Sequence, residues 1–399
     1  MKKIVTLGLA FAAAGVALAR PSFVISPEIY AAPDVPCNVY YARIFDSCVS
    51  GRYLLEAVSS VGSSYETSWS WTPTAADAGR RVKLVLNAWD DDGLVTSATT
   101  TVVVARAPSA EAKARKVTLA LLAASDTNCR YQDQLRERML AAGFANYTPV
   151  GSHSGSSASS TCDPAKGAPH DGYGGYTWDE FMTRYAFAPD EIEHVQAAAE
   201  REQMKQFGEK IPEGQEWMRA LLKSPLVRWD NGKKVLDIPR WFDKINGGKA
   251  PDYLVVELGG NRVAFQRPDA NRDAVDGEVR AAAKLLDALR AVAPRTRIAV
   301  LTSMGGSLDQ DSWGRNYGAR QHCRHGLRAF LDYDRKMAAL CRARKDPDLI
   351  FVSTTQSMDP WGDYPTGRKT GNAMHATREG GKALGDAIFA WLMSDITNR

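Results

Sequence analysis

The chain has 399 residues, of which 44% are hydrophobic, 24% charged and 9% aromatic, and its formal charge is +4. That apolar fraction builds a core and excludes intrinsic disorder, 32 Gly and 19 Pro without a period exclude collagen-like repeats, and the length leaves room for two or three domains. No Lys/Arg block interleaves with aromatic residues, so nucleic acid is not expected as a partner.

Residues 1–19 read as a signal peptide: Lys2 and Lys3, an apolar run from Ile4 to Val16, then Ala17-Leu18-Ala19 before Arg20. The run is shorter than the roughly 20 residues that span a bilayer. The protein is therefore expected to be secreted or periplasmic, with no transmembrane span. Six cysteines bound for an oxidising compartment predict disulfides. Proximity favours pairing Cys37 with Cys48, Cys129 with Cys162 and Cys323 with Cys341. No CxxC pair is present, which leaves zinc-ribbon and thioredoxin readings without support.

Residues 20–105 show short alternating patterns. Val82, Leu84, Leu86 and Ala88 share one face of a strand, Asp92-Gly93 turns the chain into Leu94 to Val104, and Trp69-Ser70-Trp71-Thr72-Pro73 precedes a second turn. A small all-β sandwich of immunoglobulin-like type is predicted. Asp90-Asp91-Asp92 is read as a solvated turn rather than a metal site. Residues 106–116, rich in Ala, Lys, Arg and Glu, are expected to be an exposed linker.

From residue 117 the rhythm changes. Apolar runs at Val117–Leu122, near Val150, and at Tyr253–Leu258, Ile298–Leu301 and Leu349–Val352 alternate with helical segments at about 131–142, 273–292, 327–342 and 378–393. Continuous apolar strands between amphipathic helices predict an α/β domain with a doubly wound parallel sheet over residues 117–399. An insertion occupies about 179–250, with a charged helical middle at 190–207. Ligands of such sheets bind at the carboxyl ends of the strands.

Three of those ends carry reactive side chains. Ser125 follows the first strand where a helix begins, the place where backbone N–H groups best support a serine alkoxide, although a helix cap has the same signature. Gly259-Gly260-Asn261 follows the strand ending at Leu258 and offers an amide donor or a tight turn. His375 lies on the loop before the last helix and is a candidate general base. Upstream, the glycine-rich loop His170 to Trp178 supplies bare backbone N–H groups, and its Tyr173, Tyr176 and Trp178 are either core residues or sugar-stacking platforms. His322 and His325 have no carboxylate at matching spacing and are read as structural rather than metal ligands.

In order along the chain, Ser125, Gly175, Asn261 and His375 resemble the Ser, Gly, Asn and His of the SGNH, or GDSL-type, hydrolases. The stretch Pro251 to Asn261 is the most family-like, and the resemblance covers about Lys116 to the C-terminus. It implies a flavodoxin-like three-layer α/β fold and a serine esterase with Ser125 as nucleophile, His375 as base, Gly175 and Asn261 as oxyanion donors, and no metal or organic cofactor. Three positions depart from the family pattern. Ala123-Ala124 replace its Gly-Asp, Arg262 replaces its Asp after the amide, and Asn372 stands where its catalytic aspartate precedes the histidine. The third member is then Asn372, a backbone carbonyl, or another acid such as Asp363 or Asp359. The expected partner is an ester substrate, an acylated, most simply acetylated, extracellular glycan. A lipase and a non-catalytic glycan-binding protein are the alternatives.

Overall fold

The computed structural model describes residues 21–46, 52–155, 167–185, 223–231, 233–264, 271–318, 321–367 and 373–398. The expected signal peptide, the charged segment 190–207, Cys48, Cys162 and Asn372 lie outside the described residues.

In residues 21–104, Glu28–Ala31, Gly93–Val104, Arg81–Asp90 and Leu54–Ser59 form a four-stranded sheet in that spatial order. Cys37–Tyr40, Ser68–Trp71 and Ser63–Ser64 form a three-stranded one. Alternation drives both. Val82, Leu84, Leu86 and Ala88 are buried while Lys83, Val85 and Asn87 between them are exposed or half-buried, which matches the two-residue period of side chains in a strand. Ile29, Val39, Trp69, Leu84, Leu86 and Val102, drawn from both sheets, share one core. Asp90 pairs with Gly93 across the long hairpin, and Asp90 Oδ1 accepts the Asp92 N–H at 2.9 Å, so the acidic triplet is a turn closed on itself. Within residues 106–116 a single helical turn, Ala110–Ala114, is capped by Ser109.

The second part is built from strands β1 (Val117–Ala123), β2 (Tyr147–Val150), β3 (Pro169–Gly172), β4 (Tyr253–Glu257), β5 (Arg297–Leu301) and β6 (Leu349–Val352). The helices between and after them are α1 (Tyr131–Ala141), α2 (Trp178–Thr183), α3 (Ile238–Asn246), α4 (Asn271–Val292), α5 (Cys323–Ala343) and α6 (Arg378–Asn398). Strands β2, β1, β4, β5 and β6 are parallel neighbours in that order, and β3 takes over the same edge of β1 beyond β2. With β3 set aside this is the second–first–third–fourth–fifth order of flavodoxin-like sheets.

The strands read as unbroken apolar runs because both faces are covered. Ala120, Leu122, Leu254, Val256, Ile298 and Val300 pack with Trp178, Trp241, Leu285 and Phe330 of α2 to α5. The residues between them, Leu119, Leu121, Val255, Ala299 and Leu301, pack with Leu135 and Met139 of α1 and Leu384, Ile388 and Leu392 of α6. Each fully buried side chain of this kind contributes about 1.5–3 kcal/mol. Two apolar faces per strand thus fix a three-layer domain.

The cysteine expectation needs correction. Cys37, Cys129, Cys323 and Cys341 are buried free thiols. Cys323 and Cys341 stand near opposite ends of α5, about 27 Å apart at 1.5 Å per residue, whereas a disulfide needs Cα atoms within about 7 Å. Burial pushes the Cys37 and Cys341 thiols up to about 12, which removes their thiolate character. Among the described residues no helix is long and apolar enough to cross a membrane.

Candidate active site

Ser125 opens a one-turn 3-10 helix, Ser125–Cys129, directly after β1. Arg130, with φ 62°, reverses the chain into α1. His375 arrives from the other end of the sequence. Its Nε2 lies 2.6 Å from Ser125 Oγ, across 250 residues of chain. That spacing is the nucleophile–base contact a serine hydrolase requires.

Both sides of His375 are pinned. Ala373 O accepts the Ser307 N–H at 2.7 Å, and the Thr377 N–H donates to Asp363 O at 2.8 Å. Thr377 Oγ1 then accepts the Gly380 N–H at 3.2 Å, at the start of α6. The imidazole therefore hangs from a short loop fixed two residues before and two residues after it.

The other two expected residues sit on converging loops. The Tyr173 N–H donates to Ala123 O at 2.9 Å, tying the glycine loop to the end of β1. Gly175 follows at φ 80°, exposed, with open space where a Cβ would stand. Asn261 belongs to the short helix Gly260–Val263 after β4, and its Nδ2 donates to Tyr176 O at 3.0 Å. Gly259 is required at the head of that helix: its φ is 109°, and a Cβ there would meet the Tyr333 ring at 2.5 Å. Tyr333 Oη in turn donates to Leu258 O at 3.0 Å and accepts Trp178 Nε1–H at 2.7 Å, so α2 and α5 clamp this turn.

Tyr173, Tyr176 and Trp178 are core residues, 5%, 0% and 0% exposed, and are not available to stack on a sugar. His153 and His170 are buried edge to face, and the Gly172 N–H donates to His170 Nδ1 at 3.0 Å. Burial pushes His170 down to about 3, which keeps it neutral. His322 Nδ1 accepts the Arg324 N–H at 3.2 Å and caps α5. Among the described residues no three His, Cys, Asp or Glu side chains cluster as metal ligands. Of the alternative acids, Asp363 Oδ2 accepts the Asp359 N–H at 2.7 Å and Asp359 Oδ1 accepts the Trp361 N–H at 2.9 Å, so each serves its own turn.

The sequence reading missed a pair of buried carboxyls. Asp126, the residue after Ser125, has as its neighbour Glu257, which pairs in register with Ala123 at the end of β4. Both are buried. Burial pushes both carboxyls up, and the neighbouring Asp126 charge pushes Glu257 furthest, while the positive charge that forms on His375 pulls Asp126 back down. Two carboxyls in one dry site do not both ionise. The signal was present in the sequence as an ionisable residue in the otherwise apolar run Val255-Val256-Glu257-Leu258.

A third buried acid gives a pH dependence. Asp334 on α5 accepts the Ser303 N–H at 3.1 Å and is pushed up to about 8 by burial. An acid with a raised folded value takes up a proton on folding. The stability it contributes is full below its unfolded value and falls as pH rises from about 4 to about 8. Asp334→Asn, whose amide oxygen still accepts from Ser303, is expected to flatten that fall in thermal unfolding scans between pH 4 and 8. An unchanged slope would show that Asp334 is ionised throughout.

No protein-family model matches the sequence, and no curated protein matches it. Among solved structures, the chain is similar to an acetyl esterase crystallised with acetate ion, at 14% identity and a TM-score of 0.39, over 71% of this chain and 99% of that one. It is similar to a carbohydrate esterase family 3 protein from Talaromyces cellulolyticus at 14% identity and a TM-score of 0.37, over 71% of this chain and 99% of that one. A family two carbohydrate esterase from Clostridium thermocellum, in complex with cellohexaose, is similar at 14% identity and a TM-score of 0.35, over 94% of this chain and 98% of that one.

Proposed function

We propose that the protein is a secreted carboxylic ester hydrolase of SGNH type that removes acyl groups, acetyl above all, from carbohydrate. The observation that carries this reading is the 2.6 Å contact between Ser125 Oγ and His375 Nε2 at the carboxyl end of a parallel sheet. Ser125 Oγ attacks the ester carbonyl as His375 takes its proton. The Gly175 N–H, Asn261 Nδ2–H and Ser125 N–H hold the tetrahedral oxyanion, and His375 passes the proton to the leaving sugar oxygen. Water, deprotonated by His375, then attacks the acyl-serine, and acetate leaves as Ser125 is reprotonated. Each oxyanion donor is worth about 3 kcal/mol of transition-state stabilisation.

In this reading the charge that Asn372 does not provide comes from Asp126, the buried carboxyl next to Ser125, which interacts electrostatically with His375. The proposal includes export through the 1–19 leader, an immunoglobulin-like module over 20–105, for which the four- and three-stranded sheets on a shared core are the support, and an extracellular glycan as substrate. The test is acetate release from acetylated oligosaccharides beside a p-nitrophenyl ester series of rising chain length. Acetate release together with a rate that falls as the acyl chain lengthens is expected. A rate that climbs towards long chains would instead assign a lipase, and a folded protein inert on every ester would assign glycan binding without cleavage.

A further inference from the structure

Arg43 belongs to the β module, at the end of the one-turn 3-10 helix Tyr41–Arg43, yet its guanidinium is 4% exposed and lodged in the α/β domain. Nη1–H donates to Gly306 O at 2.7 Å and Nε–H to Met358 O at 3.4 Å. The guanidinium carbon stands 4.7 Å from the centre of the Tyr364 ring, a cation–π distance. A Cβ on Gly305 would come within 2.9 Å of Nη1, so the glycine there lets the loop close over the guanidinium.

That loop, after β5, is gripped at successive residues. Asp334 Oδ1 accepts the Ser303 N–H at 3.1 Å, Glu257 Oε1 accepts the Met304 N–H at 3.3 Å, and Arg43 holds the Gly306 carbonyl. The next residue, Ser307, donates its N–H to Ala373 O at 2.7 Å. Ala373 is two residues before His375. A Cβ on Gly306 would reach Ala373 O at 3.0 Å and Met374 Sδ at 3.3 Å, so the two loops lie in direct contact. The same interface also carries a buried hydrogen bond pair from Ser26 to Ser353 Oγ, at 3.1 Å from its N–H and 2.8 Å from its Oγ, and the ion pairs of Asp46 with Arg328 at 3.3 Å and Arg335 at 3.1 Å, of which the partly exposed ion pairs contribute little.

We propose that Arg43 is a positioning residue which makes the β module part of the catalytic unit, holding the His375 loop against Ser125 through Gly306, Ser307 and Ala373. The proposal rests on the serine-hydrolase reading. Without the guanidinium, two buried carbonyls lose a charged donor and the loop is free to shift, and a misplacement of about 1 Å in a reacting group costs about a hundredfold in rate.

The experiment uses the full chain and two readouts, ester turnover and the rate at which a fluorophosphonate labels Ser125, in wild type, Arg43→Ala, Arg43→Lys and Arg335→Ala. Arg43→Ala is expected to lose about ten- to a hundredfold in kcat with KM nearly unchanged, to label proportionally more slowly, and to regain both when low-millimolar guanidinium is added. Arg43→Lys, which keeps a buried cation, serves if the alanine variant does not fold, and a smaller loss in the same direction is expected. Arg335→Ala removes an ion pair across the same interface and is expected to turn over like wild type. Wild-type labelling rates in either Arg43 variant would overturn the proposal. So would a loss that follows unfolding and that guanidinium does not restore, since that assigns Arg43 to stability alone. A wild-type protein that hydrolyses no ester and takes no label overturns the hydrolase reading itself, and this proposal with it.

Discussion

Ser125→Ala is expected to lower kcat on p-nitrophenyl acetate by at least about a thousandfold while leaving the melting temperature close to wild type. The hydroxyl is half-buried and its one described side-chain partner is His375 Nε2, so its loss opens no cavity and strands no core donor. What goes is the bond-forming atom, and residual turnover then comes from the oxyanion donors acting on water. His375→Ala is expected to cost a similar factor. The double variant is expected to be no worse than either single one, because nucleophile and base act as a unit and their losses do not add. Steady-state kinetics on the three proteins checks this. Losses that multiply in the double variant would mean that the two residues act in separate steps.

The largest expected effect on stability comes from Gly381→Ala. A Cβ at Gly381 would stand 2.0 Å from Cys129 O, and one at Gly385 would stand 2.6 Å from Gln134 Cβ and 2.7 Å from Tyr131 O. The two glycines are one helical turn apart on α6, and their bare faces let its backbone lie directly on the Ser125–Cys129 turn and the first turn of α1. Asp386 locks this register by accepting from Gln134 Nε2 at 2.7 Å and from Arg138 Nε and Nη2 at 2.8 Å each. A methyl group at 381 forces helix and turn apart, at a cost of about 3 kcal/mol or more. It also moves Ser125, so turnover falls with stability. Gly314→Ala is the contrast: that glycine is helical with open space around its missing Cβ, and the change is expected to stabilise by a few tenths to about 1 kcal/mol. Chemical denaturation of both variants measures the difference. A Gly381→Ala protein as stable as wild type would show that α6 packs less closely than its backbone contacts indicate.

What the sequence makes legible follows from local physics. The strands of the α/β domain are visible because burial on both faces turns them into unbroken apolar runs, and the alternating strand Arg81–Asp90 is visible because one of its faces meets a core. Ser125 and His375 are legible as chemistry at strand and helix ends, and their meeting at 2.6 Å is what the fold adds. Arg43 leaves no mark in the sequence, since nothing near it signals that its partners lie 263 and 315 residues away. The carboxyl pair is half legible. Glu257 stands out in its apolar run, but Asp126 reads as one more polar residue of a cap, and only strand register brings the two together. The Cys323–Cys341 pairing failed because closeness in sequence is a poor guide to closeness in space along a rigid helix. The aromatics of the glycine loop went to the core, where large apolar area is worth most.

The most direct test of the account is mass-spectrometric mapping of the full chain after treatment with a fluorophosphonate. One covalent adduct is expected, on Ser125, absent in Ser125→Ala and forming far more slowly in His375→Ala. A folded wild-type protein that takes no adduct, or takes it at another residue, would contradict Ser125 as the nucleophile.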